Sequence, residues 1–326
     1  MPPTEHQALR NKHKLLIYFL ATRPSFLSIT LMGYLIGYSI SLFSNHLVIG
    51  IFGLIVALLA HAAGNVINDF HDSLNGSDLA NIERIYPFTG GSRMIQDGIF
   101  TEQKISRFAT TLFFTSILLG IAVIYLSSIN LVLIGVLGLF LAWAYSAPPC
   151  KLMGRGLIGE LSITLAWALV VIGAAMLNDI NHITGNALLI SIAIGLSYGF
   201  AVANILFVNQ IPDVNADLSA QKRTLAATIQ ISNIWVYYLC FNLLAHLTIL
   251  ISYALGFLSV IYLLSLLSSP IHLYVTYILK TSPNQRLALR QSITLTIINA
   301  HIYGALLLLS NVFINYFDET CKAILN

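Results

Sequence analysis

Two groups of aspartates are the residues of this sequence best placed to do chemistry. Asp69, Asp72 and Asp78 follow one long apolar run. Asp213 and Asp217 follow another. Within each group two aspartates are three or four residues apart, so they share a face if the preceding helix continues. Carboxylates held close together repel one another, and a hard divalent cation relieves that repulsion. Oxygen ligands suit Mg²⁺, which prefers to share its shell with substrate phosphates.

Basic residues accompany both acidic groups. Lys222 and Arg223 follow the second group, and Arg93 follows the first. Such side chains form charge-assisted hydrogen bonds with phosphate oxygens. Acid and base on one side therefore predict a metal–diphosphate site, and apolar helices around it predict a lipid diphosphate. Ordinary polar caps at helix ends would explain one acidic group, but not two in matching positions.

The apolar runs that must position these residues dominate the composition. Of the 326 residues, 57% are hydrophobic and only 9% are charged, against about 25% charged in a soluble domain. Lipid must therefore cover much of the surface. Nine runs approach the ~20 residues that cross a bilayer as a helix; they span 24–43, 47–68, 108–127, 130–147, 158–177, 185–208, 231–253, 255–279 and 291–315. The sequence predicts an all-α polytopic membrane protein with nine transmembrane helices.

The lysines and arginines indicate the orientation of these spans. On the nine-span arrangement all of them except Lys322 fall on one side. The positive-inside rule then places the N-terminus and the even-numbered loops in the cytoplasm. We expect an integral protein of the plasma (inner) membrane with its active site on the cytoplasmic side. Its predicted parts are a cytoplasmic amphipathic segment (1–23), a transmembrane domain (24–316) and a tail (317–326).

Other features favour structural roles. The three cysteines form no C-x-x-C pair, so neither a zinc site nor a disulfide framework is expected. Gly33 and Gly37 have the spacing that lets a neighbouring helix approach closely. The histidines in or near the spans are expected to be neutral and hydrogen-bonded to neighbouring helices; they are His61, His246, His272 and His301.

Four sequence landmarks, in this order along the chain, resemble those of the UbiA-type intramembrane prenyltransferases. They are Arg23-Pro24, Asn68-Asp69-x-x-Asp72, the run Tyr145–Lys151 with Gly156 and Glu160, and Asp213-x-x-x-Asp217 with Lys222-Arg223-Thr224. The resemblance implies nine helices around a lipid-facing cavity capped by cytoplasmic loops. It also implies Mg²⁺-dependent transfer of a polyprenyl group from polyprenyl diphosphate to an aromatic acceptor. Neither a nucleic acid nor an obligate protein partner is expected.

Within that family the first acidic group resembles the 1,4-dihydroxy-2-naphthoate branch of menaquinone synthesis. This chain has the pattern Gly76-x-Asp78, whereas the 4-hydroxybenzoate branch typically carries Asp at the position of Gly76. Two positions depart from the naphthoate branch, because Pro212 replaces its usual Arg and Gln221 replaces a common Gly. The acceptors 4-hydroxybenzoate, homogentisate, a porphyrinoid such as haem, and a glycerol phosphate stay open. The non-enzyme alternative is a secondary transporter, which would carry polar groups at the membrane midplane.

The resemblance implies roles for individual residues. Asp69, Asp72 and Asp78 would hold one Mg²⁺, and Asp213 and Asp217 a second. The expected diphosphate-binding residues are Asn68, Arg93, Tyr145, Ser146, Lys151, Asn209, Lys222 and Arg223. Arg23 could either hold the carboxylate of a naphthoate acceptor or be a positive anchor at the membrane surface, and the anchor is the expectation. Closure of the long cytoplasmic loops would protect an allylic cation from water.

Overall fold

Helices make up almost all of the chain. The computed structural model describes residues 13–40, 47–177 and 185–325. The α-helices in these ranges are α1 Lys14–Ala21, α2 Pro24–Tyr38, α3 Leu47–Asn75, α4 Ser77–Ala80, α5 Glu102–Leu126, α6 Leu131–Ala144, α7 Leu157–Met176, α8 Gly185–Gln210, α9 Val214–Ser219, α10 Leu225–Thr228, α11 Ile234–Ala254, α12 Ser269–Thr281 and α13 Arg286–Leu325. The 3₁₀ helices are Leu152–Gly154, Ile211–Asp213, Ile231–Asn233 and Val260–Ser268.

Seven helical stretches of the described chain are long and apolar enough to cross a membrane. They are Leu47–Asn75, Glu102–Leu126, Leu157–Met176, Ala187–Ser219, Ile231–Ala254, Val260–Thr281 and Arg286–Phe317. Helices α1 and α2 pass this test only together, and they are bent by 62° at their junction. The apolar helix α6 has only 14 residues. The predicted all-α integral membrane protein is therefore confirmed. Each of the nine predicted runs overlaps a helix, but the count of nine spans stays a prediction.

Some predicted features fall outside the described residues. Positions 1–12 of the predicted amphipathic segment are among them. The rest of that segment contains α1, whose Leu15, Leu16 and Phe19 side chains are exposed. The helix α13 continues to Leu325 without a break at 316.

The connections at one end of the bundle form a cap. This end contains the C-termini of α3, α6 and α8 and the N-terminus of α7. Two short parallel strands, β1 (Arg155–Gly156) and β2 (Arg223–Thr224), pair within the cap. The pairing joins the loop after α6 to the loop after α8, which are far apart in sequence.

Local sequence explains where the acidic groups lie. The helix α3 runs seven residues beyond the predicted apolar run and so carries both Asp69 and Asp72. Gly76 then adopts a left-handed backbone with φ 82°, a conformation that glycine reaches without steric cost. After α8, Pro212 lies in the first turn of a 3₁₀ helix, where its missing N–H is not needed.

Glycines allow the central helices to approach closely. A Cβ at Gly37 of α2 would lie 2.0 Å from the carbonyl oxygen of Val171 in α7. A Cβ at Gly199 of α8 would lie 2.2 Å from the carbonyl oxygen of Thr164, also in α7. Both contacts are with backbone atoms, which cannot rotate away. The predicted packing role of Gly37 inside the bundle is confirmed.

Replacing Gly199 by alanine should lower thermal stability by several degrees. The added methyl group must push α7 and α8 apart, and such overpacking costs about 1–3 kcal/mol. Gly138→Ala is the matched control, because a Cβ there meets nothing within 4 Å and alanine favours a helix by about 1 kcal/mol. Thermal unfolding of the purified protein in detergent measures both variants. Equal midpoints for the two would contradict the close α7–α8 contact.

Candidate active site

A cavity of about 680 Å³ opens beneath the cap and extends along the bundle. Polar and charged side chains line its cap end, among them Asp72, Asp213 and Lys222. Apolar residues of α3, α5, α6 and α7 line the rest, which reaches Gly53 and Leu177 near the opposite ends of α3 and α7. The shape suits a ligand with a charged head and a long apolar tail.

Asp69 and Asp72 lie on the last two turns of α3 but meet different partners. Asp69 accepts hydrogen bonds from the backbone N–H of Ser92, with 3.3 Å to each carboxylate oxygen. Asp72 accepts from the Asn68 side chain at 3.1 Å and from the Asn75 side chain at 3.2 Å. Both aspartates are buried. The first carboxylate therefore binds the loop between α4 and α5 (residues 81–101, the cap loop), whereas the second faces the cavity.

Arg23 belongs to the site, so the expectation of a surface anchor was wrong. Its guanidinium forms an ion pair with Asp69 and donates to Asn68 Oδ1 at 3.3 Å. It also lines the cavity, and its Nε is buried without a partner. The sequence signal was Pro24, because a following proline excludes Arg23 from the α-helical region. Arg23 accordingly has φ 56° and lies at the junction between α1 and α2.

Asp78 is brought beside Asp69 by two turns that need glycine. The first is Gly76, and the second is Gly91, which has φ 71°. A Cβ at Gly91 would lie 2.9 Å from Asp78 Oδ2 and 3.1 Å from Asp69 Oδ1. Burial and the neighbouring Asp72 and Asp69 carboxylates raise the pKa of Asp78 well above its usual range. A cation at this position would favour the charged carboxylate.

The second acidic group faces the first across the cavity. Asp213 Oδ2 accepts from the backbone N–H of Gly90 at 3.1 Å, whereas its Oδ1 is buried without a partner. Asp217 Oδ2 accepts from the Thr224 hydroxyl at 3.1 Å. The cap loop thus contacts both groups, through Gly90 on one side and Ser92 on the other.

Lys222 joins the two groups directly. Its Nζ lies 3.1 Å from Asp72 Oδ2 and 3.6 Å from Asp217 Oδ1. Burial alone would lower the pKa of Lys222, but the carboxylates of Asp72 and Asp217 outweigh it and raise that pKa above its usual range. The lysine is therefore a fixed positive charge between two aspartates from distant parts of the sequence.

The predicted diphosphate-binding residues divide into two sets. Asn68, Tyr145, Asn209 and Lys222 line the cavity, and Asn209 Oδ1 is buried without a partner. The other four are not among the cavity-lining residues of the described chain. Of these, Arg93 donates to the backbone carbonyl of Asp78 at 2.9 Å. Ser146 is fully buried, and Lys151 and Arg223 are exposed.

The contact between Glu160 and Gln210, a buried pair beside the site, was not predicted from the sequence. Gln210 donates to Glu160 Oε1 at 2.8 Å and accepts from the Ala226 backbone N–H at 3.2 Å. This pair ties the first turn of α7 to α10, next to the second acidic group. The sequence did carry a signal, since an acidic residue at the start of an apolar helix needs a partner.

The donor set fits Mg²⁺. The candidate ligands are oxygen atoms, and Asp213 Oδ1 and Asn209 Oδ1 lack partners. In the part of the chain that the structure describes, no three His, Cys, Asp or Glu side chains converge closely enough to hold an ion unaided. The structure therefore does not preassemble the predicted triad of Asp69, Asp72 and Asp78. Mg²⁺ commonly uses one or two carboxylates and completes its shell with phosphate and water.

Comparisons with known proteins match most of the chain. The model of the UbiA prenyltransferase family matches residues 26–298. The UbiA prenyltransferase domain-containing protein 1 of Dictyostelium discoideum is 28% identical over 244 residues, which are 72% of this chain and 70% of that protein. The 1,4-dihydroxy-2-naphthoate octaprenyltransferase of Escherichia coli (strain K12) is 25% identical over 228 residues, which are 67% of this chain and 70% of that enzyme.

Among solved structures, a UbiA homolog from Archaeoglobus fulgidus bound to DMAPP and Mg²⁺ has the same fold. The TM-score is 0.63 at 17% sequence identity, and the match covers 89% of this chain and 98% of that chain.

Replacing Lys222 by methionine should destabilise the protein in a way that Mg²⁺ partly reverses. Removing one partner of a buried ion pair costs about 3 kcal/mol or more, and here it leaves Asp72 and Asp217 without their shared cation. Thermal unfolding with and without Mg²⁺ measures the effect. Arg223→Met is the control, because the neighbouring arginine is exposed. If both variants respond to Mg²⁺ in the same way, Lys222 does not hold the two groups together.

Proposed function

Because the chain belongs to the UbiA prenyltransferase family, it is a prenyltransferase of the membrane, and we propose that its substrates are a polyprenyl diphosphate and 1,4-dihydroxy-2-naphthoate. The observation that carries this proposal is the single cavity with two unlike ends. Its cap end combines aspartates with Lys222, and its remainder is apolar. The cap end suits a metal diphosphate, and the apolar part suits an isoprenoid chain.

The diphosphate end is proposed to use residues that line the cavity. Asp72, Asp78, Asp213 and Asp217 would hold Mg²⁺, which when bound stabilises negative charge on the diphosphate oxygens. Lys222 donates to the departing diphosphate from its position between the two acidic groups. The phosphate oxygens are oriented by the neutral side chains of Asn68, Asn209 and Tyr145, which also line the cavity. Asp69 is proposed to act through its contacts with Arg23 and Ser92.

The apolar part of the cavity supports the second half of the proposal. Departure of the diphosphate leaves an allylic cation, which water would capture. The cap loop covers the polar end through the bonds from Gly90 and Ser92, and exclusion of water protects reactive intermediates. The aromatic rings of Phe26, Phe88 and Trp167 also line the cavity, and ring faces attract cations.

Arg23 is the residue that favours an aromatic acid as acceptor. It lines the cavity beside Asn68, and only its Nη2 carries hydrogen bonds among the described residues. A guanidinium with free donors binds a carboxylate well. The naphthoate is favoured over 4-hydroxybenzoate by the Gly76-x-Asp78 pattern and by the E. coli relative at 25% identity. Transfer to 4-hydroxybenzoate is the second candidate.

The cellular role follows from the same proposal. The distribution of Lys and Arg favours the inner membrane, with the cap in the cytoplasm. There the product would be the precursor of a lipid quinone. A secondary transporter is disfavoured because the acidic groups lie at helix ends on one side rather than in broken helices at the midplane.

Membranes containing the protein should transfer a radiolabelled polyprenyl group to 1,4-dihydroxy-2-naphthoate when Mg²⁺ is present. Asp72→Ala and Asp213→Ala should each reduce transfer by at least 100-fold, because each removes a proposed ligand of Mg²⁺. An acceptor panel with 4-hydroxybenzoate, homogentisate and glycerol phosphate identifies the acceptor. Transfer only to another acceptor would refute the naphthoate assignment. Absence of transfer to all of them would refute the proposed aromatic reaction.

Arg23→Met should weaken binding of the naphthoate by about 10- to 100-fold, the usual worth of a hydrogen bond to a charged group. The variant should bind 1,4-dihydroxynaphthalene, which lacks the carboxylate, as well as the parent does. Inhibition constants for the two ligands on the same variant measure this difference and cancel any general loss of stability. An equal weakening of both would show that Arg23 does not bind the carboxylate.

A further inference from the structure

A row of polar side chains runs down one face of α3 into the membrane-embedded part of the cavity. The row consists of His61, Asn65, Asn68 and Asp72, whose spacing of three and four residues places them on one helix face. All four line the cavity. Asn68 and Asp72 belong to the diphosphate end, and Asn65 donates to the Thr22 carbonyl at 3.0 Å. His61 lies farthest from the cap and is not among the proposed diphosphate-binding residues.

The contacts of His61 fix its ring and leave one nitrogen available. Nδ1 lies 2.8 Å from the Thr30 hydroxyl of α2, as the predicted bond to a neighbouring helix requires. The ring packs edge-on against Trp167, with 4.9 Å between centroids. Nε2 forms no hydrogen bond with any described residue. If Nδ1–H donates to Thr30, Nε2 is left as an acceptor for a molecule in the cavity.

The other histidines of the spans are different. In His301, Nδ1 lies 2.9 Å from the Ile297 carbonyl and Nε2 lies 3.0 Å from the Ser28 hydroxyl, so both nitrogens have partners. His246 and His272 pack against each other, with 4.9 Å between ring centroids. Within the described part of the chain, His61 alone among the histidines lines the cavity.

Arg23 and His61 are spaced to bind opposite sides of one aromatic ring. Arg23 contacts Asn68, and Thr30 contacts His61, so the neighbouring helices α2 and α3 run in opposite directions here. Seven residues separate the two contacts on each helix, which is about 10 Å along the axis. An aromatic acid with a hydroxyl on the far side of its ring spans about this distance once a hydrogen bond of about 3 Å is added at each end.

We propose that His61 is a catalytic base that accepts the proton of an acceptor hydroxyl, a role that rests on the proposed aromatic prenylation. As the ring carbon attacks the allylic cation, a conjugated hydroxyl becomes a carbonyl and its proton moves to Nε2. The attacked carbon, which is ortho to that hydroxyl, then loses its proton to the diphosphate. The electrons of that bond restore the aromatic ring, and His61 returns its proton to the oxygen. Each group is thereby regenerated.

His61→Gln should reduce kcat for the aromatic acceptor by 100-fold or more, since general base catalysis contributes about 10²- to 10⁴-fold. The Kd for the polyprenyl diphosphate with Mg²⁺ should stay within twofold of the parent value. Slow Mg²⁺-dependent hydrolysis of the diphosphate should also persist, because it needs no acceptor. The matched control is His301→Gln, which removes a histidine that is bonded to α2 but does not line the cavity, and it should keep the parent kcat.

A series of acceptors with fluorine on the ring distinguishes loss of a catalytic base from a change in how the cavity packs around the acceptor. A more acidic hydroxyl needs less help from a base. The ratio of the parent kcat to the His61→Gln kcat should therefore fall as the acidity of the hydroxyl rises. A constant ratio across the series, or a His61→Gln kcat equal to that of the parent, would overturn the role of His61. If the parent itself transfers no prenyl group to any hydroxyaromatic acceptor, the proposed function fails instead, and that outcome is visible before any variant is compared.

Discussion

Mutual repulsion among buried carboxylates is the constraint on which this structure depends. Aspartates from two distant parts of the sequence gather beneath the cap; Asp69, Asp72, Asp78 and Asp217 are buried, and Asp213 is half-buried with its Oδ1 shielded. Lys222 offsets Asp72 and Asp217, Arg23 offsets Asp69, the Gly90 backbone N–H binds Asp213, and the Gln96 side chain donates to Asp78. A buried charge without its partner is strongly destabilising. The folded arrangement of the cap therefore depends on the positions of Lys222 and Arg23.

The location of the site at helix ends has the same physical origin. Lipid tolerates neither unpaired backbone groups nor isolated charges, so the aspartates lie where α3 and α8 end and loops begin. Gly76, Gly90 and Gly91 turn the chain sharply there, with positive φ at all three. The paired strands β1 and β2 and the Glu160–Gln210 bond then hold the connection after α6 and the connection after α8 together. Polar chemistry is thus confined to a layer above an apolar cavity.

This division explains how one cavity serves two unlike tasks. In the proposed function the polar layer binds a diphosphate and stabilises the negative charge that develops on it as it departs. Below it, a single face of α3 continues the polar row as far as His61, opposite Arg23 and Thr30 of α2. The remaining walls are apolar and suit an isoprenoid chain. An acceptor between Arg23 and His61 would lie beside the carbon that loses its diphosphate, which shortens the path for attack.

Composition and spacing alone determined the helical membrane fold and the two acidic groups, because these follow from local periodicity and from the cost of charge in lipid; that α3 continues through Asp69 and Asp72 was settled by the structure. Asn68, Asn209 and Lys222 could be predicted as diphosphate-binding residues because they lie next to the acidic groups in the sequence. Only the tertiary structure decided that Arg23 turns inward, that Arg93 braces a loop, and that Lys151 and Arg223 face outward. It also decided that Gln210 binds Glu160 and that His61 lines the cavity. Such outcomes depend on which helix packs against which, and this packing brings together residues that no local pattern relates.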